Sequence, residues 1–235
     1  MTGPPPLFGR AAVVTGASRG IGLAVAEELM AAGAHVVRLA RSLADARSDR
    51  RTDIRCDVTD AAALADAAGR VHAELGAADL LVVNAGTFLL KSLAETAPTE
   101  FQEQVASNLT GPFLVLRAFL PPMRAAGRGL VVTVGSVADH VTLPGNAAYV
   151  AAKHGLRGLH GALARELRGT GVRATLLSPG PVDTDLWDPV DPDNRPGFTR
   201  RAAMLRPEDV AEAVRFIATR PERVSIPELH IEPKP

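Results

Sequence analysis

The stretch Ala11-Ala-Val-Val-Thr-Gly-Ala-Ser-Arg-Gly-Ile-Gly22 decides the fold. Ala11 to Thr15 is a short apolar run that stops at Gly16, the pattern of a buried strand. Beyond Gly22 the period changes. Val25, Leu29 and Ala32 share one helical face, and Gly33 ends the helix. His35 to Leu39 is a second strand. The unit is strand, glycine turn, helix, strand. Its glycines do not follow G-x-G-x-x-G, because Ser18 and Ile21 stand at the second and third places. The spacing is G-x-x-x-G-x-G, through Gly16, Gly20 and Gly22. Small residues there let backbone N–H groups approach a pyrophosphate at a helix amino end, where the dipole favours anions. Three glycines in seven residues at this junction favour a nucleotide site over a plain tight turn.

The rest of the chain repeats the alternation. Strands are expected at Ile54 to Val58, Asp79 to Val83, Leu130 to Val134, Val172 to Leu177 and Leu229 to Glu232. Residues 43–51 read as an exposed turn or single helical turn, with Arg47, Arg50 and Arg51 solvated. Leu64, Ala67, Ala68, Val71 and Leu75 form a helical stripe. Residues 98–126 read as one long helix in which Pro112 clashes with the carbonyl of Asn108 and kinks it. A helix around Leu156, Leu159, Leu163 and Leu167 carries Gly155, Gly158 and Gly161, either for close packing or as weak points. Residues 183–206 have no clear period and suit a substrate lid. Pro207 to Thr219 is a last helix. The expected fold is α/β: a doubly wound parallel sheet of about seven strands with helices on both faces. Residues 1–10 form a flexible lead-in and 11–235 one domain. The first and fourth strands should flank the point where strand order reverses, with Asn84-Ala-Gly86 beside the glycine turn.

Tyr149 and Lys153 are four residues apart, so a helix places both on one face. A fixed ammonium beside a phenol favours the phenolate, giving a tunable acid/base that needs no metal. Ser136 follows the fifth strand as a polar partner. After the second strand comes Leu39-Ala-Arg-Ser42, without a carboxylate for a ribose 2′-hydroxyl. Arg19 and Arg41 can clamp a 2′-phosphate, which favours NADP(H) while leaving NAD(H) possible. Asp57 either accepts from an adenine amino group or serves as a turn carboxylate. Phe88, His140, Leu186 and Trp187 follow strand ends and are candidate substrate contacts; Arg200 and Arg201 could meet an acidic substrate or be solvated.

Composition excludes other classes. The formal net charge is zero, with 26 basic and 26 acidic residues, so no basic stripe suggests nucleic acid. The single cysteine, Cys56, cannot form an internal disulfide and reads as a buried filler. No apolar run reaches the roughly 18 residues that span a bilayer. The expected setting is cytoplasmic, without a signal peptide.

Thr15-Gly-x-x-x-Gly-x-Gly22, Asn84-Ala-Gly86, Asn108, Ser136, Tyr149-x-x-x-Lys153 and Pro179-Gly180 occur together and in order. This set resembles the short-chain dehydrogenase/reductase family over residues 10–232. The resemblance implies a Rossmann-like domain and an NAD(P)(H)-dependent oxidoreductase acting on a carbonyl/alcohol pair. It implies Tyr149 as acid/base, Lys153 as its modulator and ribose ligand, Ser136 on the substrate oxygen, and Asn108 shaping a helix that holds a water. For the cofactor it implies Gly16, Ser18, Arg19, Gly20, Ile21 and Gly22 at the diphosphate, and Arg41, Asp57 and Val58 at the adenosine. Asn84, Ala85 and Gly86 would support the cofactor backbone, while Pro179, Gly180, Val182 and Thr184 would meet the nicotinamide end. It also implies a homodimer or homotetramer through residues 98–126 and 147–169. The sequence departs from the family at Val83, Gly135 and Asp139-His140. An NAD-preferring dehydrogenase and a non-catalytic NADP(H) sensor on the same fold remain as alternatives.

Overall fold

The computed structural model describes residues 4–234. In chain order the elements are β1 (Ala11–Thr15), α1 (Gly20–Ala31), β2 (His35–Ala40), β3 (Ala46–Ser48), β4 (Arg51–Arg55), α2 (Ala61–Leu75) and β5 (Leu80–Val83). Then come α3 (Pro98–Val105), a π-turn (Ala106–Thr110), α4 (Gly111–Ala126), β6 (Gly129–Val134), α5 (Ala147–Glu166), β7 (Val172–Pro179), α6 (Pro207–Ala218) and β8 (Glu228–Ile231). The sheet runs β3-β4-β2-β1-β5-β6-β7-β8, parallel throughout except for β3. Strand order reverses between β1 and β5, as expected from the sequence.

Two apolar cores sandwich the sheet. Ala12, Val14, Val36, Val82 and Val132 point to one face, where α1 and α6 cover them with Val25, Leu29, Val210, Val214 and Ile217. Val13, Val37, Leu81 and Val131 point to the other, under Leu64 and Val71 of α2, Phe119 and Met123 of α4 and Leu163 of α5. Alternate residues of one strand thus serve opposite cores, as a parallel sheet buried on both sides demands.

The sheet has eight strands rather than about seven. Residues 43–51 contain β3 and the start of β4, and the expected strand Ile54–Val58 begins three residues earlier, at Arg51. The reason is a polar pairing invisible to hydropathy. Arg38 of β2 donates twice to Asp53 of β4, both at 2.7 Å, and His35 meets Thr52 at 2.9 Å. Both β4 side chains are buried. The expected helix 98–126 is interrupted where Pro112 predicts, and the π-turn absorbs the mismatch because Pro112 offers no N–H to the Asn108 carbonyl.

Residues 1–3 of the expected loose lead-in lie outside the described residues. The rest of it is pinned. The Leu7 N–H donates to the Ala32 carbonyl at 2.9 Å, and the Leu7 side chain is buried in the α1/α6 core. Leu7 and Arg10 also line a hollow of about 300 Å³ at the amino ends of β1, β5 and β6. Cys56 is buried, and burial pushes its thiol up to about 11, as suits a filler. Among the described residues no helix is long and apolar enough to cross a membrane.

Candidate active site

A cleft of about 1530 Å³ opens over the carboxyl ends of β1, β2, β5, β6 and β7. Every nucleotide-site residue expected from the sequence lines it, and so do Asn108, Ser136, Tyr149 and Lys153. The glycine turn is a cradle without room for side chains. Gly16 has φ +68°, and a Cβ there would stand 2.8 Å from Ala85 Cα. A Cβ on Gly22 would strike the Gly16 carbonyl and stand 2.6 Å from Asn84 Nδ2. The ends of β1 and β5 are stitched together by Thr15. Its hydroxyl accepts from the Asn84 and Ala85 N–H groups at 2.9 and 3.1 Å, and Asn84 Nδ2 donates to the Thr15 carbonyl at 3.0 Å. The amino end of α1 has no side-chain cap. A tight, open-faced backbone at an uncapped helix start fits a diphosphate, so these residues suit a dinucleotide.

Arg19 and Arg41 flank this cradle. Both guanidinium groups are exposed, and each reaches a carboxylate only loosely, Asp185 at 3.5 Å and Asp57 at 4.0 Å. Asp57 acts as a turn carboxylate while still lining the cleft: its Oδ1 accepts from the N–H and hydroxyl of Thr59 at 2.9 and 2.8 Å. Burial pushes this carboxyl up, but the two Thr59 bonds and the Arg41 charge outweigh it and hold the carboxyl below its ordinary value.

Tyr149 lies in the first turn of α5 and Lys153 one turn on. Lys153 Nζ stands 5.6 Å from the Tyr149 ring centre and donates to the Val134 carbonyl at 3.2 Å. Burial pushes the phenol up to about 12; the Ser136 hydroxyl opposes this and the Asp139 charge adds to it. Burial also brings Lys153 down to about 8, against the pull of Asp139. The shift of the phenol is upward, opposite in direction to the depression expected beside an ammonium, and desolvation is its largest cause.

Asn108 fastens this floor to the π-turn. Its amide donates to the Thr87 carbonyl at 3.0 Å and to the Gln104 carbonyl at 3.1 Å, and its oxygen accepts from the Thr87 N–H at 3.3 Å. Gly86 makes room for it, since a Cβ there would stand 2.6 Å from Asn108 Oδ1. Gln104 was missed from sequence. It sits four residues before Asn108 and donates to the Thr87 hydroxyl at 3.1 Å; its i,i+4 spacing from Asn108 was the available signal.

Asp139 was also missed as part of the site. Its carboxylate is fully buried just past Ser136. Oδ2 accepts from the Ser178 hydroxyl at 2.6 Å and the Ser136 N–H at 3.2 Å, and Oδ1 faces His140 Nδ1 at 2.8 Å and Arg157 at 3.3 Å. Burial raises this carboxyl, and the Ser178 and His140 bonds, the Ser136 N–H and the Arg157 charge more than reverse that. Gly135 leaves space for it: a Cβ would overlap Oδ2 and stand 3.0 Å from Ser178 Oγ. Two departures from the family pattern, Gly135 and Asp139, thus fit one another. His140 turns away from the cleft, packing edge-on against His230 with centroids 4.6 Å apart, so it is not among the residues facing a substrate.

Residues 183–206 fold over the cleft as a chain of short 3-10 turns, tied back where Val182 bridges Leu205. Trp187 and Leu186 line the cleft; Arg200 and Arg201 do not. Arg201 binds Asp183 at 2.7 Å and also Asp188, so it is neither a simply solvated charge nor a residue of the cleft lining.

A family model described as short chain dehydrogenase matches residues 10–195. The 3-oxoacyl-(acyl-carrier-protein) reductase FabG of Escherichia coli (strain K12) is 34% identical over 220 residues, covering 90% of each chain. D-threitol dehydrogenase of Mycolicibacterium smegmatis is 35% identical over 227 residues, covering 91% of this chain and 87% of its own. Among solved structures, a metagenomic short-chain oxidoreductase in complex with NADP superposes with a TM-score of 0.82 at 36% identity, over 97% of this chain and 99% of that one. With the glycine cradle, Asn84-Ala-Gly86 and the Ser136–Tyr149–Lys153 group on one cleft, this chain belongs to the short-chain dehydrogenase family, oxidoreductases acting on CH–OH and C=O groups.

Proposed function

We infer that the protein is an NADPH-dependent ketone reductase, working in reverse as a secondary-alcohol dehydrogenase. The observation that carries this is the meeting of Ser136, Tyr149 and Lys153 beside the glycine cradle on one cleft. The overall change is ketone plus NADPH plus a proton giving alcohol plus NADP+. The nicotinamide supplies the hydride when bound. The chain's own residues handle the oxygen and the proton. Ser136 and Tyr149 donate hydrogen bonds to the substrate oxygen, where negative charge develops. A phenol near 12 stays protonated at neutral pH, so Tyr149 is poised as the acid of the reduction and passes its proton to that oxygen. Lys153 supports the ribose and the resulting phenolate. Asn108 fixes the π-turn behind it.

Gly16, Ser18, Gly20, Ile21 and Gly22 would hold the diphosphate at the α1 start, with Asn84, Ala85 and Gly86 beneath. Asp57 and Val58 would border the adenine, and Pro179, Gly180, Val182 and Thr184 the nicotinamide. The exposed, weakly paired Arg19 and Arg41 support NADP(H) over NAD(H). Phe101 and Phe113 stay exposed on α3 and α4, and Gly158 and Gly161 of α5 face open space, which supports pairing of two copies through these helices.

Tyr149→Phe tests the reading. Turnover should fall by at least about a thousandfold while NADPH binding, read by thermal shift, persists. Retained turnover would refute Tyr149 as the acid.

A further inference from the structure

A row of aromatic rings leads outward from Tyr149. Phe88 meets Tyr149 edge-on with centroids 5.1 Å apart. Trp187 lies 5.0 Å from Phe88, and Phe198 lies 6.5 Å from Trp187. All three line the cleft, all are half-buried, and none belongs to either apolar core. Part of each ring is therefore turned toward open space beside the site of proton transfer. The indole N–H of Trp187 is already given to the Val182 carbonyl at 3.0 Å. What remains is flat apolar surface with no spare donor. Leu143 and Leu186, 41% and 39% exposed, continue the apolar rim.

Glu100, Glu103 and Asp185 are among the residues that line the same cleft. Two cations near it are held by carboxylates, Lys91 by Glu100 at 2.8 Å and Arg201 by Asp183 and Asp188, while Arg19 reaches Asp185 only loosely at 3.5 Å. Arg195 lies over the Phe198 ring, 5.1 Å from its centre. A carboxylate or phosphate entering here would have to draw Lys91 or Arg201 from its carboxylate partners, or Arg195 from the Phe198 ring, and would lose water in doing so. A neutral ring would cover exposed apolar surface and stack edge or face against Phe88 and Trp187.

We propose that the substrate is a neutral ketone, or its secondary alcohol, bearing an aryl group that packs against Phe88, Trp187 and Phe198 while the oxygen meets Ser136 and Tyr149. This rests on the hydride-transfer reading above and adds the substrate class.

Trp187 is the only tryptophan, so its emission reports on this wall alone. With saturating NADP+, 4-phenylbutan-2-one should quench it saturably, and 5-oxohexanoate at equal concentration should not. With NADPH, kcat/KM for 4-phenylbutan-2-one should exceed that for 5-oxohexanoate by on the order of 100-fold. Trp187→Leu should lower the ratio of kcat/KM for 4-phenylbutan-2-one over butan-2-one by about tenfold, and Phe88→Leu should act in the same direction. Quenching by the anion alone, no quenching by the aryl ketone, a ratio of aryl ketone to anion at or below one, or equal losses for both neutral ketones in Trp187→Leu would overturn the proposal. Quenching by the aryl ketone without turnover of any ketone would sink the hydride-transfer reading and leave the aryl site standing. Turnover with the reversed ranking would do the opposite.

Discussion

Replacing Gly135 by alanine should unsettle the floor of the cleft through a single carboxylate. The Gly135 backbone is not in the left-handed region, so alanine is conformationally allowed there. The harm is steric. The new Cβ overlaps Asp139 Oδ2 and stands 3.0 Å from Ser178 Oγ and 3.2 Å from Leu176 Cδ1. Asp139 must retreat by roughly 1 Å to restore ordinary contact. That movement strains the two bonds to Oδ2, from Ser178 at 2.6 Å and from the Ser136 N–H at 3.2 Å. Hydrogen bonds to a charged group are worth about 1.5–3 kcal/mol each, and a stiffer unfolded chain returns up to about 1 kcal/mol. The net loss is about 3 kcal/mol, or about 6–12 °C in Tm for a chain of this size. The assay is urea unfolding of wild type, Gly135→Ala, Asp139→Ala and the double variant. Asp139→Ala alone is destabilising because Ser178, His140 and Arg157 lose their shared partner. In that background the added methyl meets no carboxylate and should cost under about 1 kcal/mol. The cycle therefore carries a coupling of about 2 kcal/mol, favourable to the double variant. A Gly135→Ala protein within about 0.5 kcal/mol of wild type, or equal costs in both backgrounds, would refute the reasoning.

Other consequences are as readily checked. Lys153, brought down to about 8 by burial, loses its charge above that pH, so kcat/KM for NADPH-dependent reduction should be level below about 8 and fall above it. Lys153→Arg should remove this falling limb, and a limb near the ordinary lysine value would contradict the assignment. His160 is buried, bonded through Nδ1 to Thr133 at 2.9 Å, and lowered to about 4 by burial, with Glu228, Arg157 and Asp139 acting on it in smaller measure. A depressed pKa leaves its stabilisation whole above about 6.5, where the unfolded residue is also neutral, and removes up to about 3 kcal/mol as pH falls toward 4. His160→Gln should flatten that part of the stability profile in denaturant titrations, and an unchanged slope would sink the claim. Arg41→Ala should narrow the preference for NADPH over NADH by about tenfold in Kd, read by parallel thermal shifts; an unchanged preference means that Arg41 does not touch the 2′-phosphate.

The parts of the molecule legible from sequence are those whose chemistry is local. Gly22 must be a glycine because a side chain there would strike the Gly16 carbonyl, six residues earlier in the same motif. Tyr149 and Lys153 meet because a helix repeats, and Pro112 disturbs its own helix. The parts that escaped depend on partners far along the chain. Strand β4 escaped hydropathy because it buries Thr52 and Asp53, which Arg38 and His35 of the neighbouring β2 satisfy. Asp139 looks like a loop carboxylate until Ser178, 39 residues later, closes on it. The raised phenol of Tyr149 escaped because spacing reveals an ammonium nearby but not the burial that outweighs it.

The anchored lead-in has a practical meaning for handling the protein. Pro6, Leu7 and Arg10 border the amino ends of the strands, whereas the cleft opens over their carboxyl ends. A resin linker or fusion partner joined ahead of residue 4 would depart from the side of the sheet opposite the opening, separated from it by a β1 strand of about 17 Å. Such a tether would leave the mouth facing the bulk liquid, making the amino end the natural point for fixing this catalyst to a support. Trimming past Leu7 to shorten that tether would instead remove a plug from the α1/α6 core.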